Sequence, residues 1–272
     1  MIARACMTLN LSRAALSVCA TPRSVVWGPI GFGGQAQLAE QTIPDPAHVS
    51  SLVSSAAWIV IVEKHAVYQT LRTIDFLGQV GGHLPPGAVV TGKGYPDHAT
   101  RWMLGELARH ASSTHLLFLV DSDPHGVDIF RTYQDALPSS AQVHWSGLRA
   151  RQWLRLQMAH AIPTMPLTRA DRAKAKSMLS SPALPPALRH ELGETLHLGY
   201  KCELEVLCTA ADDHPQSGAA SGILAEFLIS QIRSAIYSCG GDIHDTRPVP
   251  RPFQGSHRPR HRSGGGDSPL CG

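Results

Sequence analysis

The sequence predicts an α/β fold built on a parallel sheet, and two features indicate it. Short apolar runs at 58–62, 88–91 and 116–120 have the length and continuity of strands that are buried on both faces. Segments with apolar residues at helical spacing, 65–76 and 99–110, alternate with these runs. An order of strand, helix, strand, helix, strand is typical of a parallel sheet covered by helices.

The first predicted strand, 58–62, is rich in β-branched residues and ends at Glu63. The helix 65–76 follows it with Val67, Leu71 and Ile74 on one face. Residues 88–91 form the next predicted strand because they are apolar and are followed by the glycine-rich stretch 92–94.

The second predicted helix, 99–110, is amphipathic, and the strand 116–120 follows it. From about residue 142 the apolar pattern becomes helical, with prolines as breaks, and its clearest helices are 169–179 and 187–208. From residue 239 onward apolar periodicity disappears, and this Arg-, Pro- and Gly-rich tail is predicted to be disordered.

Composition restricts the classes of protein to consider. A chain of 272 residues with 43% hydrophobic residues can form one large or two small cored domains. Its longest apolar runs, 56–62 and 116–120, are much shorter than the roughly 20 residues that span a bilayer, so no membrane segment is predicted. The formal net charge of +3 is concentrated in the tail. The body is nearly neutral, and net charge alone gives no argument for nucleic-acid binding.

Several common kinds of site are not supported by motifs. The six cysteines form no C-x-x-C pair, which favours free thiols over a zinc or disulfide framework. The sequence also contains neither the H-E-x-x-H spacing of zinc proteases nor the G-x-S-x-G elbow of serine hydrolases.

Acidic residues follow two of the predicted strands directly. Glu63 comes after the first strand, and Asp121 and Asp123 come after the third. Because ligands of parallel sheets bind at the carboxyl ends of the strands, these carboxylates are expected to share one edge. Such an all-oxygen set suits Mg²⁺ acting on a phosphodiester. Taken singly, each acid is equally consistent with a solvated strand end or an Asx turn.

The stretch Gly92-Lys93-Gly94-Tyr95-Pro96-Asp97 follows the middle strand. Glycine allows close approach of backbone amides to a phosphate, and Lys93 adds a positive charge. The stretch lacks the spacing of both the dinucleotide fingerprint and the P-loop, so by itself it predicts only a turn.

Three segments in order resemble the Toprim motifs of the Spo11 family, relatives of the A subunit of topoisomerase VI. They are Val62-Glu63-Lys64, the run T-G-K-G-Y-P-D-H-A-T-R at 91–101 and the run L-V-D-S-D-P-H-G at 119–126. Residues 10–29 look like the end of the family's winged-helix domain, and 166–171 and 199–205 look like its C-terminal helices.

The resemblance implies a Toprim (Rossmann-like) parallel sheet with C-terminal helices, preceded by a remnant of a winged-helix domain. The corresponding boundaries are 1–42 for the remnant, 43–238 for the Toprim domain with its helical part, and 239–272 for the disordered tail.

The implied function is a Mg²⁺-dependent DNA transesterase that makes meiotic double-strand breaks in the nucleus, on chromosomes, and is classed with the ATP-hydrolysing type II topoisomerases. The family acts as a homodimer with a topoisomerase VI B-like subunit and meiotic accessory proteins. By resemblance, the Mg²⁺ ligands are Glu63, Asp121 and Asp123, and the DNA contacts are Lys93 and Arg101.

One departure concerns the nucleophile. The family's catalytic tyrosine lies in an Arg-Asp-x-Tyr-Tyr-like motif upstream of the segment that begins at Cys6, and this sequence contains no such motif. Its tyrosines occupy positions that match noncatalytic parts of the pattern: Tyr68, Tyr95, Tyr133, Tyr200 and Tyr237. We therefore expect a chain that is truncated at its N-terminus and inactive alone. The alternatives are a Toprim nuclease that uses metal-activated water and a non-catalytic fragment that binds DNA or a partner.

Two smaller features remain open. His65 stands where the family usually has an acid. No acidic residue precedes Glu40, so the N-terminus also has the composition of a mitochondrial transit peptide, although the resemblance favours a domain remnant.

Overall fold

A computed structural model describes residues 23–154, 163–209 and 222–237. Its strands are β1 (Val25–Phe32), β2 (Gln37–Thr42), β3 (Leu52–Ser54), β4 (Trp58–Val62), β5 (Gly87–Thr91), β6 (His115–Leu119), β7 (Gln142–Trp145), β8 (Met165–Pro166) and β9 (Tyr200–Lys201). Its helices are α1 (His65–Thr73), α2 (Phe76–Val80), α3 (His98–His110), α4 (Pro124–Gln134), α5 (Arg169–Leu179), α6 (Pro186–Leu198), α7 (Val206–Thr209) and α8 (Gly222–Tyr237), with a short 3₁₀ turn at Pro46–His48.

Seven strands form one sheet in the order β2-β1-β5-β4-β6-β7, with β3 paired to β1. Strands β5, β4, β6 and β7 run parallel, whereas β1 is antiparallel to its neighbours β2, β3 and β5. The parallel part confirms the α/β fold that the sequence predicts. The short strands β8 and β9 form a separate antiparallel pair.

The sheet separates two apolar cores. All five residues of β4 are buried, and alternate side chains enter opposite cores: Trp58, Val60 and Val62 on one side, Ile59 and Ile61 on the other. Helices α1, α2, α7 and α8 cover the core that contains Trp58, and helices α3 to α6 cover the core that contains Ile59. Each fully buried aliphatic side chain contributes about 1.5–3 kcal/mol relative to an exposed one, so both faces fix the register of β4.

The predicted elements are largely confirmed. The three strands and the helix 169–179 are present, and the strand bounds shift by one residue at most. The helix predicted over 65–76 ends at Thr73, because Asp75 adopts a left-handed conformation with φ 49° before α2 begins. The single helix predicted over 187–208 is wrong: Gly199, with φ 75°, ends α6, and the chain then forms β9 and the short helix α7.

Strand β7 was not predicted from the sequence; its first residue, Gln142, is exposed and the other three are half-buried. Within the described ranges, no helix is long and apolar enough to cross a membrane. Cys202 and Cys208 are free thiols in the described part of the chain, as predicted for these two.

Residues 23–42 join the main sheet through the pairing of β1 with β5. Ile43 is fully buried, and its N–H donates to the Ser24 carbonyl, so the chain remains packed where the domain boundary was drawn. The winged-helix remnant stays a prediction, since residues 1–22 lie outside the described ranges, as does the tail at 239–272.

Candidate metal and phosphate site

The acidic residues lie at the topological switch point of the sheet. β5 and β6 lie on opposite sides of β4. The connection that leaves β4 therefore leads to β5, towards one edge of the sheet, whereas the connection that leaves β6 leads to β7, towards the opposite edge. Glu63 directly follows β4, and Asp121 lies two residues beyond the end of β6. A switch point is where parallel α/β sheets bind ligands, because the diverging connections leave a crevice there.

Glu63 and Asp121 are in direct contact. The Asp121 N–H donates to Glu63 Oε2 at 2.9 Å, and the Glu63 N–H donates to the Leu119 carbonyl at 3.0 Å. Burial, together with the Asp121 and Asp123 charges, raises the pKa of Glu63 from 4.5 to about 8. Burial also raises the pKa of Asp121 to about 6, although the Lys64 ammonium opposes this shift.

Asp123 fixes the start of α4. Its Oδ1 accepts the Gly126 N–H at 2.7 Å, which makes Asp123 the N-cap residue, and Pro124 occupies the first helical position. Gly126 is required there, because a Cβ atom would lie 2.2 Å from the Asp121 carbonyl oxygen. The D-x-D-P-H-G motif therefore packs its two aspartates against the first turn of a helix.

A C-terminal segment lies beside the aspartates. Ser122 and Cys202 exchange backbone hydrogen bonds of 3.0 and 3.3 Å, and the Leu204 N–H donates to Asp121 Oδ1 at 2.8 Å. This pairing brings the sequence 200–205 to the edge of the main sheet. From the sequence, this segment was identified only by its family resemblance, and no site residue was assigned to it.

Lys64 connects the same segment to the acids. Its Nζ lies 3.1 Å from Asp121 Oδ2, 3.0 Å from Glu203 Oε2 and 2.7 Å from Glu205 Oε2. Lys64, Glu203 and Glu205 were not identified as site residues from the sequence. One indication of such a contact was present in the sequence, namely that Lys64 is a basic residue next to the proposed ligand Glu63. Its acidic partners could not be found by spacing, because Glu203 and Glu205 are about 140 positions away in the chain.

The glycine-rich loop closes another side of the site. The Gly94 N–H donates to the Glu63 carbonyl at 2.8 Å, and the Lys93 N–H donates to Thr91 Oγ1 at 3.1 Å. Lys93 is exposed and has φ 54°, a left-handed conformation that is uncommon for a residue with a side chain. The exposed Lys93 thus lies on a loop whose backbone is hydrogen-bonded to the backbone of Glu63.

Contacts on its C-terminal side hold this loop in place. Asp97 caps α3 by accepting the Thr100 N–H at 2.8 Å, and Ser24 Oγ donates to the same carboxylate at 2.8 Å. Tyr95 Oη donates to Asp128 on α4 at 2.7 Å. Arg101 lies exposed in the first turn of α3 and pairs with no acid among the described residues.

A buried tyrosine beneath the glycine-rich loop, Tyr133, is not arranged as a nucleophile. Tyr133 is 2% exposed, and its Oη has no hydrogen-bond partner in the described part of the chain. Burial raises the pKa of Tyr133 well above its usual value, so the phenolate is disfavoured. A Cβ on Gly92 would lie 2.7 Å from Tyr133 Oη, which shows that this side chain packs directly under the glycine-rich loop.

The donor set fits a hard divalent cation. Glu63, Asp121 and Asp123 supply only carboxylate oxygens, which are the ligands that Mg²⁺ prefers, and burial raises the pKa values of Glu63 and Asp121. The buried Ser122 Oγ has no hydrogen-bond partner among the described residues. As the side chains stand, no three of the described His, Cys, Asp or Glu residues are grouped to ligate a metal, and Asp121 contacts Lys64 and the Leu204 N–H.

The structure thus brings most of the predicted site residues to one edge. Glu63 and Asp121 are in contact there, Asp123 begins the helix that follows Asp121, and the loop carrying Lys93 is hydrogen-bonded to the Glu63 backbone. Arg101 lies on the helix that follows this loop, without a contact to the acids. Their assignment as metal ligands and DNA contacts remains a prediction.

Comparison with known proteins gives one consistent result. The family model for the Toprim domain of Spo11 and of the topoisomerase 6 A subunit matches residues 58–215. The chain is 28% identical over 242 residues to the Caenorhabditis elegans meiotic recombination protein spo-11, which covers 83% of this chain and 53% of the relative. It is 31% identical over 224 residues to meiotic recombination protein SPO11-2 of Oryza sativa subsp. japonica, covering 73% and 55%.

A third relative is named as a topoisomerase subunit and not as a meiotic recombination protein. The A subunit of DNA topoisomerase 6 from Arabidopsis thaliana is 28% identical over 222 residues, covering 74% of this chain and 50% of the relative. The chain therefore spans about half the length of these curated relatives. The family match extends over more than half of the chain and includes both acidic strand ends and the glycine-rich loop. This protein belongs to the family of Spo11 and the topoisomerase VI A subunit, and it contains the Toprim domain of that family.

Proposed function

We propose that this chain is the metal- and phosphate-binding part of a Spo11-like protein that acts in meiotic DNA double-strand break formation. Similarity to relatives named as meiotic recombination proteins supports the process. The observation that carries the chemistry is the contact of Glu63 with Asp121 at the switch point, where the Asp121 N–H donates to Glu63 Oε2 at 2.9 Å. We assign the cofactor as Mg²⁺, held by Glu63, Asp121 and Asp123.

When bound, Mg²⁺ supplies positive charge that offsets the negative charge developing on the scissile phosphate. The residues of the chain position the DNA around that charge. The exposed Lys93 ammonium provides a contact for a phosphate of the strand, and Gly92 and Gly94 let the backbone approach closely. Arg101 contributes a second contact, to a more distant phosphate.

The covalent step needs a tyrosine that this sequence does not supply in the family's motif. In the full reaction, a tyrosine hydroxyl oxygen forms a bond to phosphorus and the 3′ oxygen of the broken strand leaves, so a phosphotyrosyl 5′ end is produced. We propose that the chain by itself binds DNA without forming this link. We further propose that it works on chromosomes in the nucleus, as a homodimer with a topoisomerase VI B-like subunit and meiotic accessory proteins.

The test combines DNA binding with a search for covalent adducts. Fluorescence anisotropy with a labelled duplex should show that Mg²⁺ strengthens DNA binding. Glu63→Gln and Asp121→Asn should abolish this metal effect, because each removes a carboxylate charge from the site. Glu106→Gln, which removes a carboxylate on the far end of α3, should retain the metal effect.

Denaturing gels of the same reactions should show no protein–DNA adduct. An adduct with a 5′ end would contradict the proposed inactivity. Mg²⁺-dependent nicking without an adduct, lost in Asp121→Ala, would identify a nuclease that uses water instead. DNA binding that is independent of metal and unchanged in both site variants would contradict the proposed metal site.

A further inference from the structure

The Lys64 ammonium lies among three carboxylates. The nearest oxygen belongs to Glu205 at 2.7 Å, the next to Glu203 at 3.0 Å, and the most distant to Asp121 at 3.1 Å. The Lys64 side chain is 23% exposed, and the Asp121 side chain is only 6% exposed. The ion pair between Lys64 and Asp121 is therefore largely shielded from water.

The ammonium remains charged in this setting. Burial lowers the pKa of Lys64, but the Glu205 hydrogen bond and the Asp121 charge outweigh burial and raise the pKa above its usual value. Asp121 Oδ1 is already occupied by the Leu204 N–H at 2.8 Å. The other oxygen, Oδ2, accepts no backbone N–H among the described residues and contacts Lys64, so a metal ion that binds Asp121 through Oδ2 meets the ammonium there.

A divalent cation and an ammonium ion compete for that oxygen. Both are positively charged, and two cations on one carboxylate oxygen repel each other, more strongly where the oxygen is buried, as in Asp121. Metal binding at Oδ2 thus favours a position of Lys64 farther from Asp121, provided that its charge stays neutralised. Glu203 and Glu205 are the acids that can accept it, since both already contact the ammonium.

We propose that Glu203 and Glu205 are positioning residues that hold the Lys64 ammonium so that Asp121 is released to the metal. This inference rests on the proposed function, because it assumes that Asp121 is a metal ligand. It also gives the segment 200–205 a role: its backbone aligns Asp121 through Leu204, and its side chains control the competing cation.

The proposal predicts a specific pattern of metal affinities. Without Glu203 and Glu205, Lys64 has only Asp121 as a partner, so it competes more strongly with the metal. Outer residues that orient a metal ligand typically change metal affinity by about 10–100-fold, and we expect a loss of that size in Glu203→Gln/Glu205→Gln. In a Lys64→Gln background the competing cation is gone, and the same two substitutions should change affinity less than about threefold.

The experiment is a double-mutant cycle on the complete 272-residue chain, with Mn²⁺ as the probe because its binding can be followed by electron paramagnetic resonance. The cycle compares wild type, Lys64→Gln, Glu203→Gln/Glu205→Gln and the triple variant. Glu106→Gln/Glu194→Gln is the matched control, since it removes two paired acids elsewhere and should leave Mn²⁺ affinity unchanged.

The readout separates positioning from simple attraction or structural support. If Glu203 and Glu205 act only by attracting the metal, their removal weakens Mn²⁺ binding equally in the Lys64→Gln background, and this result would overturn the proposal. Equal affinities of wild type and Glu203→Gln/Glu205→Gln would overturn it too. If the double variant does not fold by circular dichroism, the cycle of Lys64→Gln with Glu203→Gln alone tests the same coupling.

Failure of the proposed function gives a different result. If wild type binds no Mn²⁺, or if Glu63→Gln and Asp121→Asn bind it as tightly as wild type, the metal site itself is wrong and this inference falls with it. If those two variants lose binding but the cycle with Lys64 is additive, only the positioning role is refuted.

Discussion

Binding of Mg²⁺ should release protons, and the structure gives the approximate number. The pKa of Glu63 is raised to about 8 by burial and by its acidic neighbours, so at pH 7 only about one in ten molecules has this carboxylate ionised. Asp121, whose pKa is raised to about 6, is then about 90% ionised. A metal ion that binds the ionised forms must therefore displace about one proton in total at pH 7, chiefly from Glu63.

The same protonation weakens metal binding at neutral pH. With a pKa of about 8 for Glu63, the apparent Mg²⁺ affinity should rise about tenfold between pH 7 and pH 9 and then level off. Below pH 6 the loss should become steeper, because Asp121 is also protonated there.

Isothermal titration calorimetry measures both quantities. Titrations at pH 7 in Tris and in HEPES, which differ in ionisation enthalpy, give the number of protons released, and titrations from pH 6 to pH 9 give the affinity. Glu106→Gln should show the same profile as wild type. Proton release near zero together with an affinity that is constant between pH 7 and pH 9 would refute the reasoning, since the metal would then not bind to Glu63.

The remaining predictions concern packing, stability and DNA binding. Gly126→Ala should lower the free energy of unfolding by about 1–3 kcal/mol, because its Cβ clashes with the backbone, and should reduce Mg²⁺ affinity. The control Gly193→Ala, where a Cβ meets no atom, should be neutral or stabilising in a urea melt. Equal losses of stability in the two variants would contradict the clash. Without metal, Glu63→Gln should be more stable than wild type at pH 8 by a few kcal/mol, and the difference should vanish below about pH 4.5. The reason is that burial of the ionised Glu63 costs stability as pH rises from 4.5 to 8. A stability difference that is independent of pH would refute this. Lys93→Gln/Arg101→Gln should weaken DNA binding and lower the salt slope by about 2; an unchanged slope would exclude both as phosphate contacts.

Short continuous apolar runs were enough to predict the centre of the fold. Residues 58–62 could be assigned because a strand buried on both faces must be apolar throughout, and the observed alternation of Trp58 and Ile59 between two cores explains this pattern. The helix 169–179 was predicted correctly from its apolar pattern, and the structure shows that a capping box of Thr168 and Asp171 fixes its start.

Local patterns did not predict features that depend on distant parts of the chain. The helix predicted to continue through 199 ends because Gly199 adopts a left-handed conformation and the chain then pairs with β8 and Ser122. The glutamates that contact Lys64 could not be found from spacing, since they are separated from it by about 140 residues. Glu63 and Asp121 could be proposed as neighbours only because parallel strands end at one edge of a sheet.

The placement of the metal ion at the switch point is the claim on which the proposed chemistry depends most. A crystal of the chain grown with Mn²⁺ and measured at the manganese absorption edge would locate the ion directly by its anomalous signal. We predict a single strong peak within ligand distance of carboxylate oxygens from Glu63, Asp121 and Asp123. A fully occupied peak elsewhere in the protein, with Glu63 and Asp121 still hydrogen-bonded as in the metal-free arrangement, would contradict the assignment.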